Sequence, residues 1–421
     1  MLLLYVILLA YLVAVCSQDF SDIASKKFED EYIQTCSKYP WINRTNNDPH
    51  ISEKSIVFDF SEDGGGLGDR FSGVINAYAF ALRTNRQFFI SVNEQHKDLF
   101  KAFQTYQNYS VNYETCISKT HEDSPDILDL RHCHNLNIGA CSLDKDPAHK
   151  TIIIKGNRVN MCRWTELPKK PAYKQMINIG ITNDSNLYEV SGCMLRSIFW
   201  PTVTLWREMN QLFSSQSSDS YRLALHYRCG DIALSNDLQY CEGVVNDAKH
   251  YQKCANTLLQ GNSSKDSNIY ITSDNHAASK TLMSGLDVNK NSNVFAAPFG
   301  CHIDFPRGFY IPKFEMQFEY PEPRDACTYH TLIYWFALSL NDNIIAQCKP
   351  IDQIGPELSF YSSFPRLAGI YSLKHDSLRC ADHCVYRLHR DIARLSHGNW
   401  RCCDSELDER GRRIKKGIEN V

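Results

Sequence analysis

The sequence predicts an α/β protein whose two halves each contain a parallel sheet and face one another across a cleft. A strand at 55–60, a glycine-rich loop, a helix at 67–83 and a strand at 87–92 form a βαβ unit, which implies parallel strands. A second alternation of strands and helices begins near residue 222. Two α/β halves of this kind commonly frame a ligand cleft at the carboxyl ends of their strands.

The length of 421 residues and the hydrophobic content of 43% predict two packed domains. We expect an N-terminal domain at 18–213 and a C-terminal domain at 221–377, separated by a serine-rich stretch. Residues 378–421 contain four cysteines and then a charged run, and we interpret them as an appended tail.

Each further element follows from its own pattern. Between 67 and 83, apolar residues recur every three or four positions, which is typical of one buried helix face. Short apolar runs bounded by polar residues predict strands. Further strands are predicted at 151–155, 222–227, 268–272, 293–297 and 343–347, and further helices within 197–213, 277–285, 328–340 and 362–373.

Cysteine content and the N-terminus predict the secretory pathway. Seventeen cysteines spread along the chain favour disulfides and an oxidising compartment. Residues 2–16 form an apolar run with the length of a signal-peptide core, so residues 1–17 are predicted to be a signal peptide. No Lys or Arg precedes this run, and an uncleaved type II anchor stays open as the alternative. Sequons for N-glycosylation agree with this route and begin at Asn43, Asn108, Asn183 and Asn262.

The mature chain is therefore expected in the lumen of the ER or Golgi, or outside the cell. It would meet a membrane only through an N-terminal anchor. The net charge of −3 does not provide the broad basic field of a nucleic-acid-binding protein, so nucleic acid is not expected as a partner.

The first motif is the glycine loop GGGLGDR at 64–70, between a strand and a helix. Glycines allow a ligand to approach the backbone, and a helix N-terminus favours an anion. The loop has neither the G-x-G-x-x-G spacing of dinucleotide-binding proteins nor the Gly-Lys-Ser/Thr of a P-loop. The simpler alternative is a tight turn.

Three more motifs follow strands of the second half. In HYRCGD at 226–231, Arg228 either binds an anion or pairs with Asp231. In TSDN, Asp274 either binds a ligand or forms a simple Asx turn. Ser362 and Ser363 either cap a helix or hold a phosphate.

In their order, these motifs resemble those of the superfamily of α1,2-, α1,6- and protein O-fucosyltransferases, which use GDP-fucose. GGGLGDR resembles the family's G-G-L-G-N-R, and HYRCGD resembles its H-x-R-R-G-D. SSFPRLA at 362–368 resembles its closing S-x-F-x-x-x-A. The resemblance spans about residues 55–375.

The resemblance implies a GT-B arrangement of two facing Rossmann-like domains, in which the C-terminal domain holds most of the donor. Arg228 matches the arginine that contacts the β-phosphate and is the catalytic candidate. The donor-binding candidates are His226, Gly230, Asp231, Asp274, Ser362, Ser363 and Phe364. The N-terminal loop expected near the fucose and the acceptor comprises Gly65, Gly66, Gly68, Asp69 and Arg70.

The activity implied is inverting transfer of fucose from GDP-fucose to a hydroxyl of a glycan or glycoprotein. No convincing D-x-D motif is present, so neither a metal nor another cofactor is expected. Asp69 and Asp63 are candidates for a general base by position only. Asp69 places a carboxylate where the family has Asn. Cys229 replaces the family's second Arg, which keeps a weak or inactive GDP- or carbohydrate-binding protein open. A transferase using another nucleotide sugar is the third alternative.

The cysteines near the C-terminus leave two interpretations. Cys380, Cys384, Cys402 and Cys403 lie near three histidines and could bind zinc. In a secreted protein, disulfides are favoured over such a site.

Overall fold

The computed structural model describes both halves of the predicted fold, with gaps between the described segments. The residues described are 20–43, 53–60, 66–92, 99–106, 126–129, 149–155, 177–182, 186–213, 220–229, 241, 243–263, 266–286, 292–297, 310–311, 316–317, 324–347, 363–374, 377–381 and 384–386.

The N-terminal half is built on a sheet of four parallel strands. Helix α2, Leu67–Arg83, connects the first two strands and confirms the predicted βαβ unit. In order across the sheet, the strands are Gln87–Ser91 (β2), Ser55–Asp59 (β1), Thr151–Lys155 (β5) and Ile127–Asp129 (β4).

The described residues of the N-terminal half include four further helices and two short strands, and a 3₁₀ turn at Pro40–Asn43 follows the first helix. The helices are Phe20–Cys36 (α1), Leu99–Ala102 (α3), Leu187–Ile198 (α4) and Val203–Phe213 (α5), and the short strands Phe103–Gln104 (β3) and Trp200–Pro201 (β6) form an antiparallel pair.

The C-terminal half contains a six-stranded sheet in which all strands but one edge strand are parallel. This sheet and the first one confirm the predicted α/β class. In order, its strands are Val385–Tyr386 (β14), Leu378–Cys380 (β13), Asn343–Ala346 (β12), Tyr221–Tyr227 (β7), Ser267–Ser273 (β8) and Ser292–Ala296 (β9). Its helices are Val244–Gly261 (α6), His276–Met283 (α7), Arg324–Ser339 (α8) and Ser363–Tyr371 (α9), and the short strands Tyr310–Ile311 (β10) and Met316–Gln317 (β11) pair antiparallel.

Both faces of the C-terminal sheet are buried, and each packs into a different apolar cluster. On β7, Leu223 and Leu225 pack with residues of α6 and α7. Ala224 packs into the main core, because successive side chains of a strand point to opposite faces. His226 has the same parity as Ala224 and therefore lies on the face toward the main core.

The main core joins the two halves. Phe71 of α2 and Trp335 of α8 have ring centroids 4.6 Å apart, and Phe28 of α1 lies 5.9 Å from Phe336 of α8. The fully buried Arg196 of α4 donates from Nε to the carbonyl of Tyr371, the last residue of α9. Helices α8 and α9 therefore pack against the N-terminal half, although in sequence they lie between strands of the C-terminal sheet, α8 before β12 and α9 before β13.

Three disulfides lie within the described residues: Cys36–Cys193, Cys229–Cys241 and Cys254–Cys384. Cys380 is also disulfide-bonded, so the disulfide interpretation applies to both Cys380 and Cys384. Cys402 and Cys403 lie outside the described residues. These pairs are consistent with the predicted oxidising compartment.

The domain boundary predicted at residue 377 differs from the structure. β13 and β14 belong to the C-terminal sheet, and Leu378 is fully buried beside Ile344 of β12. The sheet therefore continues to Tyr386, beyond the start of the predicted tail. The apolar signal of so short a strand is too weak for recognition without its neighbours.

The predicted signal peptide at 1–17 lies outside the described residues. Across the described segments, no helix combines the length and the apolar character needed to cross a membrane.

Candidate functional site

The predicted donor site lies where three neighbouring parallel strands end. β12, β7 and β8 are adjacent, and the register places His226 opposite Ala346 on one side and Thr272 on the other. Gln347 follows β12 and Asp274 follows β8 at the same edge of the sheet. In parallel α/β sheets this edge is the usual place for a ligand.

Arg228 is held at this edge by contacts with both neighbouring strands. Its backbone N–H donates to Oε1 of Gln347 at 2.8 Å, and its Nη1 lies 3.3 Å from Oδ2 of Asp274. The other carboxylate oxygen of Asp274 accepts a 2.7 Å hydrogen bond from the N–H of Cys229. The side chain of Arg228 is 27% exposed and that of Asp274 is 6% exposed. The guanidinium can therefore offer donors to an anion from an anchored position.

This ion pair concerns two alternatives left open by the sequence: the partner of Arg228 and the role of Asp274. Asp274, on the neighbouring strand, is a partner of Arg228, whereas the proposed alternative partner Asp231 lies outside the described residues. Both carboxylate oxygens of Asp274 contact the segment that follows β7. A contact between Asp274 and a nucleoside stays a prediction.

His226 is buried next to Arg228, and its imidazole is neutral at physiological pH. Burial lowers the pKa of His226 to about 3, and the positive charge of Arg228 acts in the same direction. The imidazole ring lies 5.4 Å from the ring of Phe364, with 30° between the planes. The carbonyl of His226 accepts a 2.7 Å hydrogen bond from the hydroxyl of Tyr251. His226 therefore shapes the site by packing and adds no charge to it.

The start of α9 lies beside this histidine. The helix begins at Ser363, which confirms the helix predicted within 362–373, and the choice between a cap and a phosphate contact for the two serines stays a prediction. Phe364 is half-buried, and its carbonyl accepts a 3.1 Å hydrogen bond from Nε1 of Trp335. This bond fixes the first turn of α9 on α8.

The glycine loop of the N-terminal half ends at Gly66, the N-cap of α2, whose residue type provides no capping side chain. Gly68 and the half-buried Asp69 lie in the first turn of this helix. Arg70 is only 1% exposed and donates from Nη1 to the carbonyl of Phe60 at 2.7 Å. The Arg70 side chain therefore bonds the end of β1, and its predicted role near the acceptor stays a prediction.

Four of the predicted site residues lie outside the described residues: Gly65, Gly230, Asp231 and Ser362. The structure also adds Gln347, which was not predicted as a site residue. The signal was present, because Gln347 is a polar residue directly after a buried strand, as Asp274 is. The partner of Cys229, Cys241, could not be predicted from seventeen cysteines in one sequence.

Within the described part of the chain, no group of three or more His, Cys, Asp or Glu side chains is arranged to hold a metal ion. Among the described residues, the polar groups at this sheet edge include the guanidinium of Arg228, the carboxylate of Asp274 and the amide of Gln347. This set suits an anionic ligand better than a cation.

This chain is similar to known proteins in structure but not in sequence. No protein-family model matches the chain, and no curated protein matches it in sequence. A variant of Arabidopsis thaliana FUT1 in complex with GDP is 13% identical, with a TM-score of 0.49 over 85% of this chain and 78% of that one. The fucosyltransferase NodZ from Bradyrhizobium is 13% identical, with a TM-score of 0.43 over 76% of this chain and 91% of NodZ.

A family 9 glycosyl transferase from Veillonella parvula is also similar, at 9% identity and a TM-score of 0.34 over 78% of this chain and 81% of that one. At these identities and scores, its function has to be argued from its own residues.

Proposed function

We propose that this protein is an inverting glycosyltransferase that moves fucose from GDP-fucose to a hydroxyl of a glycan or glycoprotein. The observation that supports it most is Arg228, a partly exposed guanidinium anchored at the carboxyl edge of a parallel sheet beside the start of α9. It occupies the position in HYRCGD that matches the family's phosphate-binding arginine.

The chemistry explains why such an arginine is needed. The acceptor oxygen bonds to C1 of fucose from one face, while the bond from C1 to the β-phosphate oxygen breaks on the other. The electron pair leaves with the diphosphate, and the guanidinium of Arg228 stabilises the growing negative charge. The N-terminus of α9 adds backbone N–H groups and the positive end of the helix dipole.

The acceptor proton must also leave. Asp69 is the candidate general base within the described residues, because it is a half-buried carboxylate in the first turn after the glycine loop. Asp63 is the other candidate, and it lies outside the described residues. The proposed reaction uses no metal, since the guanidinium and the helix start supply the positive charge.

The proposed compartment is the lumen of the secretory pathway, where glycans and glycoproteins are available as acceptors. The three disulfides support this placement, because cytosolic reductants would reduce such pairs.

The deciding experiment is Arg228→Ala, assayed with a panel of radiolabelled nucleotide sugars with and without a chelator. We expect the wild-type protein to use GDP-fucose in both conditions. We expect the variant to lose turnover by a hundredfold or more, since one such contact contributes about 3 kcal/mol to the transition state. Arg207→Ala is the matched control, because Arg207 is exposed on α5, away from the motifs.

The outcomes separate the alternatives. Turnover that persists in Arg228→Ala would remove Arg228 from the mechanism. Tight binding of GDP by the wild-type protein without any sugar release would instead indicate a binding protein of the same fold. Activity with a different nucleotide sugar would replace fucose in the proposal, and loss of activity with the chelator would contradict metal independence.

A further inference from the structure

The disulfide Cys229–Cys241 lies next to the proposed phosphate-binding arginine. We infer that this disulfide and Asp274 together form a positioning unit for Arg228, so that breaking the disulfide weakens binding of the donor's diphosphate specifically. This inference rests on the proposed function, in which Arg228 binds the diphosphate. Cys229 stands where the resembled family has a second arginine.

The need for a positioning unit follows from the backbone. β7 ends at Tyr227, so Arg228 and Cys229 are beyond the regular pairing of the strand. An arginine side chain in such a segment has many rotamers, and ordering them costs affinity when an anion binds. Contacts that fix the backbone and the guanidinium in advance reduce that cost.

The contacts form a continuous chain. The disulfide bonds Cys229 to Cys241, which is 3% exposed and lies just before α6. The N–H of Cys229 donates to Oδ1 of Asp274 at 2.7 Å, and Oδ2 of the same carboxylate pairs with Nη1 of Arg228 at 3.3 Å. A displacement of Cys229 would therefore move the carboxylate that orients the guanidinium.

The other disulfide of α6 has a different place in the fold. Cys254 in the middle of α6 pairs with Cys384, next to the edge strand β14, and this pair makes no contact with Asp274 or Arg228 among the bonds the structure shows. The two cysteines of this pair are 130 residues apart, whereas Cys229 and Cys241 are 12 apart. Because a longer closed loop restricts the unfolded chain more, the Cys254–Cys384 pair should contribute more to stability.

We therefore expect the two disulfides to rank in opposite order for their effects on GDP affinity and on Tm. The variant Cys229→Ser/Cys241→Ser should lose GDP affinity by about tenfold, the equivalent of one hydrogen bond. It should show the smaller fall in Tm. The matched variant Cys254→Ser/Cys384→Ser should show the larger fall in Tm and keep its GDP affinity. GDP binding is measured by calorimetry at a temperature where both variants are folded.

Guanosine separates the positioning role from general damage to the site, because general damage would weaken the binding of both ligands. It lacks the diphosphate, so its affinity should stay equal in wild type and in Cys229→Ser/Cys241→Ser. Asp274→Asn should reproduce the loss of GDP affinity, since an amide oxygen still accepts from Cys229 but no longer pairs with Arg228.

The failures are distinguishable. If wild-type protein does not bind GDP, the proposed function fails. If wild type binds GDP and Cys229→Ser/Cys241→Ser binds it equally well, the proposed function stands and the positioning role is refuted. An equal loss for GDP and guanosine would show general damage to the site and would also overturn the inference.

Discussion

Among single residues, His226 illustrates how burial decides the form that a side chain takes. The imidazole is 6% exposed, and burial lowers its pKa from 6.5 to about 3. Between these values the unfolded chain binds a proton that the folded protein does not. Stability therefore falls as the pH decreases through this window.

We predict that His226 makes the unfolding free energy depend measurably on pH. In the middle of the range between pH 6.5 and pH 3, His226 should remove roughly 1 kcal/mol of unfolding free energy per pH unit, relative to the non-titrating variant His226→Asn. Urea denaturation at several pH values measures it. His250→Asn is the control, because His250 is exposed on α6. Parallel curves for wild type and His226→Asn would contradict the buried neutral imidazole.

Arg70 allows a second test of a single residue's contribution to stability, since its buried guanidinium donates a hydrogen bond to the carbonyl of Phe60. Arg70→Met keeps most of the volume and removes the donor, so we expect a loss of about 2 kcal/mol in unfolding free energy. The exposed Arg207→Met should change little. Unchanged stability with lost turnover would instead favour direct contact of Arg70 with the acceptor.

Helices and strands show what a sequence pattern can and cannot predict. The bounds of α2 and β5 agree with their predicted ranges, because apolar periodicity and short apolar runs are local signals. No element was predicted between residues 18 and 54, where α1 lies. Its buried residues Phe28 and Tyr32 are separated by charged positions, and what buries them is distant in sequence.

The close contact between helices α4 and α9 leads to a prediction about stability. Gly192 of α4 packs so closely against α9 that a Cβ atom would clash with the carbonyl of Ile370. Gly192→Ala should therefore reduce the unfolding free energy by about 2 kcal/mol, since a backbone carbonyl cannot easily move aside.

The matched control is Gly261→Ala at the end of α6, where an added Cβ meets no atom within 4 Å. This variant should be neutral or slightly stabilised, since alanine favours a helix over glycine by roughly 1 kcal/mol. Thermal and urea unfolding measure both variants. Equal effects at the two glycines would show that α4 and α9 are not in close contact.

The whole molecule differs from a simple pair of independent domains. Aromatic residues of the N-terminal half and of α8 and α9 form one core, and Arg196 joins α4 to the end of α9. Separate unfolding of either half would expose apolar surface of the other. The two halves therefore have separate sheets but share one core.

We accordingly predict a single cooperative unfolding transition for the oxidised protein. Calorimetry should give a calorimetric enthalpy close to the van't Hoff enthalpy, and fluorescence and circular dichroism should report the same midpoint. A chain that stops after residue 213 should not fold, because it lacks α8 and α9. Two resolved transitions would contradict the shared core.

The sequence by itself determined the α/β class, most strands and helices, and the residues that follow them, because these depend on local periodicity and residue type. It also placed Arg228 after a buried strand. Only the tertiary structure decided that Asp274 orients this arginine, that Cys241 is the partner of Cys229, and that α8 and α9 complete the first half's core. Such contacts join residues that are far apart in sequence. The sequence alone does not determine them, because many alternative residue pairs are compatible with the same local pattern of apolar and polar residues.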